Sequence, residues 1–164
     1  MKLPPRVVAL SPGDLAPELC DTFAAAARAA LDAGLRGLLL REAALEDGAF
    51  LALARALAAL RDEHDAWFGV HDRAHIARLV GADGLHLGFR SLAPADVPAA
   101  WRAGLAVGLS THAHDHVGVE EGVQGDDDAW RDADYLFHGP VLDTPSKRGL
   151  LEPVGFGGLA AAVS

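Results

Sequence analysis

The chain has 164 residues, of which 51% are hydrophobic, and a formal net charge of −9. This length fits one domain with a substantial core, and the composition is that of a globular protein rather than a disordered one. An acidic chain without a block of Lys and Arg argues against nucleic-acid and anionic-membrane surfaces, because both require basic patches. We therefore expect no nucleic-acid partner and no membrane partner.

The single cysteine, Cys20, cannot form an internal disulfide and lies in a stretch with helical spacing. A reducing compartment and a packed thiol are the natural interpretation. The apolar run at 7–10 is too short for the core of a signal peptide, and no stretch approaches the roughly 18 apolar residues of a membrane span. These features predict a cytoplasmic protein.

Strand patterns and helix patterns alternate along the chain. Helices are predicted over 17–33, 48–62, 72–80, 94–103 and 157–163, with a weaker helical region at 114–131 and with Asp47 and Asp72 as candidate caps. Short apolar runs bounded by turn residues predict six strands, at 6–10, 37–41, 66–70, 84–87, 105–109 and 135–137. This alternation predicts an α/β fold with parallel strands and crossover helices.

Two architectures fit this alternation, an open doubly wound sheet and a closed (β/α)8 barrel. In both, functional groups gather at the carboxyl ends of the strands. No G-x-G-x-x-G follows the first strand, since residues 11–13 are Ser-Pro-Gly, which weakens a dinucleotide-binding interpretation. The polar residues expected at the strand ends are Arg41, His71, Asp72, Ser110, His112, Thr144, Ser146 and Lys147.

The stretch 133–149 combines a strand, a Gly-Pro turn and a polar loop. Thr144, Ser146 and Lys147 bring two hydroxyls and an ammonium within four residues. Such a loop can donate several hydrogen bonds and a positive charge to a phosphate. An ordinary polar loop with a solvated lysine fits the same residues, and these residues alone leave both interpretations open.

Three segments in register resemble the thiamine phosphate synthase/TenI family of (β/α)8 barrels. Residues 38–42 lie where the family has a strand ending in Q-x-R-E-K, and 71–73 with 81–88 correspond to its N-D-x and A-D-G-x-H-x-G. Residues 107–112 and 133–147 correspond to G-x-S-x-H and to A-D-Y-x-x-x-G-P…T-x-[ST]-K. The resemblance covers nearly the whole chain and implies a TIM-barrel type of α/β fold and a role in thiamine biosynthesis.

The departures from the family pattern bear on activity. The resemblance implies that a synthase joins a pyrimidine diphosphate to a thiazole phosphate, with Mg²⁺ and basic residues on the pyrophosphate. Here Leu39 and Ala43 replace the family's Gln and Lys, His71 replaces its Asn, and residues 88–91 replace its G-Q-E-D. Magnesium prefers oxygen ligands, and Asp72 is the carboxylate that remains. The synthase, with Mg²⁺ as cofactor, is therefore the alternative rather than the first hypothesis.

The first hypothesis is a TenI-type thiazole tautomerase, which needs no cofactor. The family's catalytic histidine falls on His112, a residue type suited to acid/base chemistry near neutral pH. A further alternative is a non-catalytic remnant that binds a ligand or regulates a partner. For a phosphorylated thiazole substrate, the resemblance implies binding by Arg41, His71, Asp72, Ser110, Thr144, Ser146 and Lys147.

Three further expectations concern the extent of the domain, self-association and metal binding. A (β/α)8 barrel usually takes at least about 200 residues, so residues 1–164 are expected to form a single barrel domain of about six βα units, incomplete at its C-terminal end. Unpaired sheet edges favour self-association, and a homo-oligomer is therefore expected.

The run H-x-H-D-H at 112–116 resembles a metal site, but alternate positions converge only in an extended segment, and this one is predicted to enter a helix.

Overall fold

A computed structural model of the protein describes residues 1–88, 90–112, 128–144 and 152–162. The described strands are β1 Ala9–Leu10, β2 Gly37–Leu40, β3 Trp67–His71, β4 Gly84–Leu87, β5 Ala106–Thr111 and β6 Tyr135–His138. The described α-helices are α1 Cys20–Asp32, α2 Asp47–His64, α3 Ala74–Leu79, α4 Ala99–Arg102 and α5 Gly155–Ala162. Short 3₁₀ turns cover Pro17–Leu19, Pro94–Asp96 and Asp128–Asp132.

The strands follow one another in chain order, β1-β2-β3-β4-β5-β6. The pairs β1–β2, β2–β3, β3–β4 and β5–β6 are parallel. In this register Leu40 lies opposite Val70, and His71 lies opposite His86. The predicted α/β alternation with parallel strands is confirmed.

The chain divides into two compact units. The first unit comprises 1–86 and 98–107, and the second comprises 87–97 and 108–164. The first contains β1 to β3, nearly all of β4, the start of β5 and helices α1 to α4, whereas the rest of β5, β6 and α5 belong to the second. That the whole chain is one barrel domain stays a prediction.

The core of the first unit is built from β2, β3 and one face of α2. All four residues of β2 are buried, as expected for a strand covered on both sides. In α2 the buried residues Phe50, Leu53, Leu57 and Leu60 recur at helical spacing. Each such side chain contributes about 1.5–3 kcal/mol when fully buried. This packing fixes the carboxyl ends of β2 and β3, where the polar residues follow.

Glycines make room for one aromatic ring in this core. Trp67 is 1% exposed, and a Cβ added at Gly69 or at Gly84 would overlap atoms of its indole ring. In the second unit a Cβ at Gly108 would overlap the ring of Tyr135 in the same way. The strand glycines at these positions are therefore dictated by packing.

Several predicted boundaries were wrong, each for a local reason. β1 pairs with β2 only through Ala9 and Leu10, so the strand is shorter than 6–10. The helix expected over 94–103 is divided, because Val97 is extended before Pro98. Of the weaker helical region predicted at 114–131, residues 114–127 lie outside the described residues. Among the described helices, none has the length and apolar character needed to cross a membrane.

The two predicted aspartate caps were also wrong. Asp47 is the first residue of α2 rather than its cap, and its carboxylate pairs with Arg73 at 2.9 Å. The cap position before α3 is occupied by Arg73, because Asp72 adopts a left-handed backbone with φ of 63°. The carboxylate of Asp47 thus pairs with Arg73, and that of Asp72 pairs with His71 at the end of β3.

Candidate functional site

The first unit brings polar side chains together at the ends of three neighbouring strands. Arg41 directly follows β2, His71 ends β3, and His86 lies opposite His71 in β4. The preceding pair Leu40–Val70 holds β2 and β3 in register, so these ends lie at the same edge. We call Arg41, His71, Asp72 and His86 the first-unit cluster.

A histidine and an aspartate form a pair at the end of β3. Nδ1 of His71 lies 2.9 Å from Oδ2 of Asp72, so this ring nitrogen carries the proton that the carboxylate accepts. The backbone N–H of Asp72 donates to the carbonyl of His86 at 3.0 Å, which fixes the left-handed turn. Aspartate tolerates this conformation better than most residues. The turn therefore fixes the carboxylate at the strand end.

His86 lies behind this pair and stays neutral. It is 1% exposed, and its ring centroid lies 5.8 Å from that of His71. Burial lowers the pKa of His86 to about 3, and the charges of His71 and Arg41 act in the same direction against that of Asp72. A neutral, buried imidazole suits a core role for His86 and not proton transfer at neutral pH.

Arg41 presents an exposed guanidinium beside this pair. Its backbone N–H donates to Oγ of the buried Ser11 at 2.8 Å, which anchors its main chain. Among the described residues, no carboxylate forms an ion pair with Arg41. Arg41 does not pair with its neighbour Glu42, because both Glu42 oxygens accept backbone N–H groups. The guanidinium is therefore free to bind an external anion.

The second unit contains the other predicted residues. Ser110 lies within β5 and is half-buried, and His112 follows the strand with 9% of its surface exposed. Oγ1 of Thr111, between them, lies 2.9 Å from Nδ1 of His138 at the end of β6. We call Ser110, Thr111, His112 and His138 the second-unit cluster. Thr144 is half-buried, while Ser146 and Lys147 lie outside the described residues.

Sequence reasoning missed two residues at the strand ends, Glu42 and Thr111. Glu42 was visible only as part of the R-E run, and its buried position depends on contacts with Gly13 and Leu15, far away in the chain. Thr111 lies between Ser110 and His112, so its side chain has the opposite strand parity, and it was not considered as a site residue. His138 ends β6 at the position that pairs with Thr111 at the end of β5. This matching position was the available signal for the contact between the two side chains.

The described residues fit a magnesium ion with one carboxylate. No group of three or more His, Cys, Asp or Glu in the described ranges is placed to hold a metal. The Asp72 side chain is 48% exposed, whereas both oxygens of Glu42 are used by the backbone. The hydroxyl of Ser91, at the family's second acidic position, accepts from the N–H of Gly88. Magnesium takes one or two carboxylates with substrate phosphates, so Asp72 suits an ion that a phosphorylated substrate also binds.

Comparison with known proteins finds related sequences along most of the chain. A family model described as thiamine monophosphate synthase matches residues 15–164. A thiamine-phosphate synthase of Thermus thermophilus is 38% identical over 122 residues, which is 73% of this chain and 53% of that protein. A thiamine-phosphate synthase of Archaeoglobus fulgidus is 35% identical over 138 residues, 84% of this chain and 60% of that protein. The chain thus spans little more than half the length of these curated relatives.

A solved structure resembles the fold. The thiamine phosphate pyrophosphorylase from Pyrococcus furiosus superposes with a TM-score of 0.69 at 24% identity, over 95% of this chain and 67% of that one. At this identity the likeness concerns the fold alone. It confirms the predicted α/β fold of the (β/α)8 type.

Proposed function

The chain belongs to the thiamine monophosphate synthase family, and from this premise we propose that it is a synthase-type transferase of thiamine biosynthesis. The proposed reaction moves a hydroxymethylpyrimidine group from its diphosphate to a thiazole phosphate and releases pyrophosphate. The observation that carries the proposal is the exposed guanidinium of Arg41, which forms no ion pair with a described carboxylate and lies at the same strand ends as the half-exposed carboxylate of Asp72. This arrangement suits a diphosphate.

The curated relatives favour the synthase over the tautomerase. Both relatives described above are thiamine-phosphate synthases by name. They support the alternative hypothesis of the sequence analysis better than its first hypothesis, and the preference for the TenI branch receives no support from them. Proton transfer by His112 belongs to that first hypothesis and stays a prediction.

Each residue of the first-unit cluster has a distinct proposed role. Arg41 binds oxygens of the diphosphate through charge-assisted hydrogen bonds, which are stronger than neutral ones. Asp72 is the protein ligand for Mg²⁺, which when bound neutralises charge on the diphosphate. His71 donates from Nδ1 to Asp72 and so orients the carboxylate. His86 excludes water behind them and remains uncharged.

The remaining predictions concern the second-unit cluster and the state of the protein. The sequence analysis expected seven residues to bind the phosphorylated thiazole. Of these we keep Ser110, Thr144, Ser146 and Lys147 for that role, and we propose that Arg41, His71 and Asp72 serve the diphosphate instead. A cytoplasmic location and a homo-oligomer also remain predictions. A phosphorylated small molecule is the proposed partner, in keeping with the relatives' names.

The test is an assay of the full chain with the pyrimidine diphosphate and the thiazole phosphate, with and without Mg²⁺. We expect release of pyrophosphate together with thiamine phosphate, dependent on the metal. Arg41→Ala is expected to lower kcat/KM by at least about tenfold. Arg55→Ala, which removes an exposed arginine from α2, is the matched control and is expected to change nothing.

Two outcomes would contradict the proposal. The first is the absence of both products at saturating substrate. The second is metal-independent isomerisation of a thiazole carboxylate phosphate that is abolished by His112→Ala, since this result would restore the tautomerase hypothesis.

A further inference from the structure

Glu42 is a buried carboxylate that no side-chain cation compensates. It is 1% exposed, and none of the ion pairs among the described residues includes it. A buried charge is costly unless hydrogen bonds replace its hydration. Here the backbone N–H of Gly13 donates to Oε1 and that of Leu15 donates to Oε2, both at 2.8 Å. Both carboxylate oxygens therefore bind the loop after β1.

The same loop contacts Arg41, the neighbour of Glu42. Gly13 has a φ of 99°, and a Cβ added there would lie 3.3 Å from Nη1 of Arg41 and 3.8 Å from its carbonyl oxygen. Ser11 accepts the backbone N–H of Arg41 through its hydroxyl. The loop thus bonds to the main chain of Arg41 and passes close enough to its guanidinium that an added Cβ at Gly13 would contact it.

Arg73 fixes the chain on the far side of Glu42. Its Nη2 donates to the carbonyl of Leu45 at 2.5 Å, and its Nη1 pairs with Asp47 at 2.9 Å. The guanidinium carbon also lies 4.2 Å from the centre of the Phe50 ring. Residues that follow Arg41 are therefore held from one side by Arg73, while the loop after β1 holds Arg41 from the other.

We infer that Glu42 is a positioning residue for Arg41. By binding the amides of Gly13 and Leu15, its carboxylate keeps Gly13 against the guanidinium and limits the directions that this long side chain can take. A flexible arginine loses rotamer freedom when it binds a ligand, so ordering it beforehand strengthens binding. The inference rests on the proposed function at one point, which is that Arg41 binds the diphosphate.

The test measures the dissociation constant of inorganic pyrophosphate, with Mg²⁺, for the full chain and its variants. Glu42→Gln replaces one acceptor by an amide NH₂ that faces a backbone N–H, so one loop bond is lost. We expect binding to weaken by about tenfold, a change that corresponds to about 1.4 kcal/mol. Gly13→Ala, which adds a Cβ beside Nη1, is expected to weaken binding to a similar extent and does not alter the carboxylate.

A matched control separates this contact from backbone strain. Gly34 has a φ of 106°, close to that of Gly13, but a Cβ added at Gly34 would meet no atom within 4 Å. Gly34→Ala therefore strains the backbone in the same way without touching Arg41. We expect its pyrophosphate affinity to equal that of the wild type.

A double-mutant cycle distinguishes positioning from a general structural effect. Arg41→Ala is expected to weaken binding, and adding Glu42→Gln to Arg41→Ala is expected to weaken it no further. Losses that add in full would overturn the inference, as would wild-type affinity in both Glu42→Gln and Gly13→Ala. Wild-type affinity in Arg41→Ala would instead contradict the proposed role of Arg41, and the positioning of Arg41 would fall with it.

Discussion

The two compact units hold their strand ends by different chemistry. In the first unit a carboxylate and a guanidinium are turned inward, so that Glu42 binds loop amides and Arg73 binds a loop carbonyl and Asp47. In the second unit the strand ends are joined by the contact of Thr111 with His138 and by the N–H of Gly139, which donates to the carbonyl of Thr111.

This difference predicts which substitutions should destabilise each unit most. Charge-assisted hydrogen bonds are roughly twice as strong as neutral ones, and removing one partner of a buried charged contact is severely destabilising. Substitution of Glu42 or Arg73 in the first unit should therefore lower the free energy of unfolding strongly. A substitution at the contact of Thr111 with His138 in the second unit should cost less, because it removes one hydrogen bond rather than two charge-assisted ones.

The largest effect is expected from Glu42→Ala. It removes two charge-assisted hydrogen bonds, each of which contributes about 1.5–3 kcal/mol, and leaves two amides without their acceptor. The free energy of unfolding, measured by urea denaturation, should fall by about 3 kcal/mol or more. Glu46→Ala is the control, since Glu46 makes no side-chain bond at the start of α2, and it should be close to neutral. A loss below about 1 kcal/mol for Glu42→Ala would show that the loop is held by other contacts.

Acid should destabilise the first unit through His86. Its pKa is about 3 in the folded protein against an ordinary value of 6.5, so between these values the unfolded chain binds more protons. Stability should therefore be full above about pH 6.5 and fall as the pH decreases towards 3, by at most about 1.4 kcal/mol per pH unit. Urea denaturation of the wild type and His86→Gln over this range tests the account. Identical pH dependence in the two proteins would contradict it.

Overpacking should distinguish the two cores. Gly84→Ala places a Cβ against the indole of Trp67, which is 1% exposed and cannot move aside, so a loss of about 1–3 kcal/mol is expected. Gly108→Ala meets the ring of Tyr135, which is less buried than Trp67, so its loss should be smaller. Gly48→Ala, where a Cβ meets nothing within 4 Å, is the control. A larger loss for Gly108→Ala than for Gly84→Ala would reverse the comparison.

The smallest effect is expected from Thr111→Val, which removes one hydroxyl while keeping the shape of the side chain. The loss of its contact with His138 should cost about 1 kcal/mol in the free energy of unfolding. Thr22→Val, at an exposed position of α1, corrects for the intrinsic effect of the exchange. A loss as large as that of Glu42→Ala would remove the contrast between the units.

Sequence patterns predicted local elements well where the local signal was strong. Strand β4 matches the predicted 84–87, because Gly81 and Gly84 bound a short apolar run. The exposed position of Arg41 after a buried strand was likewise predictable. The break at Pro98 was visible in the sequence as a proline, but helical spacing on either side outweighed it.

The residues that could not be predicted are those defined by distant contacts. Glu42 binds amides that lie 27 and 29 residues earlier in the chain, and no periodicity records such a pairing. Asp47 was a candidate helix cap, yet its carboxylate pairs with Arg73, which lies 26 residues later in the chain. Asp72 was another candidate, yet its carboxylate pairs with the neighbouring His71. At the strand ends, where the candidate site lies, side-chain pairing therefore outweighed the local preference of aspartate for a helix cap.

The most direct test of the account is the thermal unfolding of the wild type and of Arg41→Ala, titrated with pyrophosphate in the presence and absence of Mg²⁺. Ligand at about 100 times its dissociation constant stabilises a binding-competent fold by about 2.7 kcal/mol. The account predicts a rise in the Tm of the wild type that Mg²⁺ enlarges and that Arg41→Ala largely loses. No rise at millimolar pyrophosphate, or an equal rise in both proteins, would contradict it.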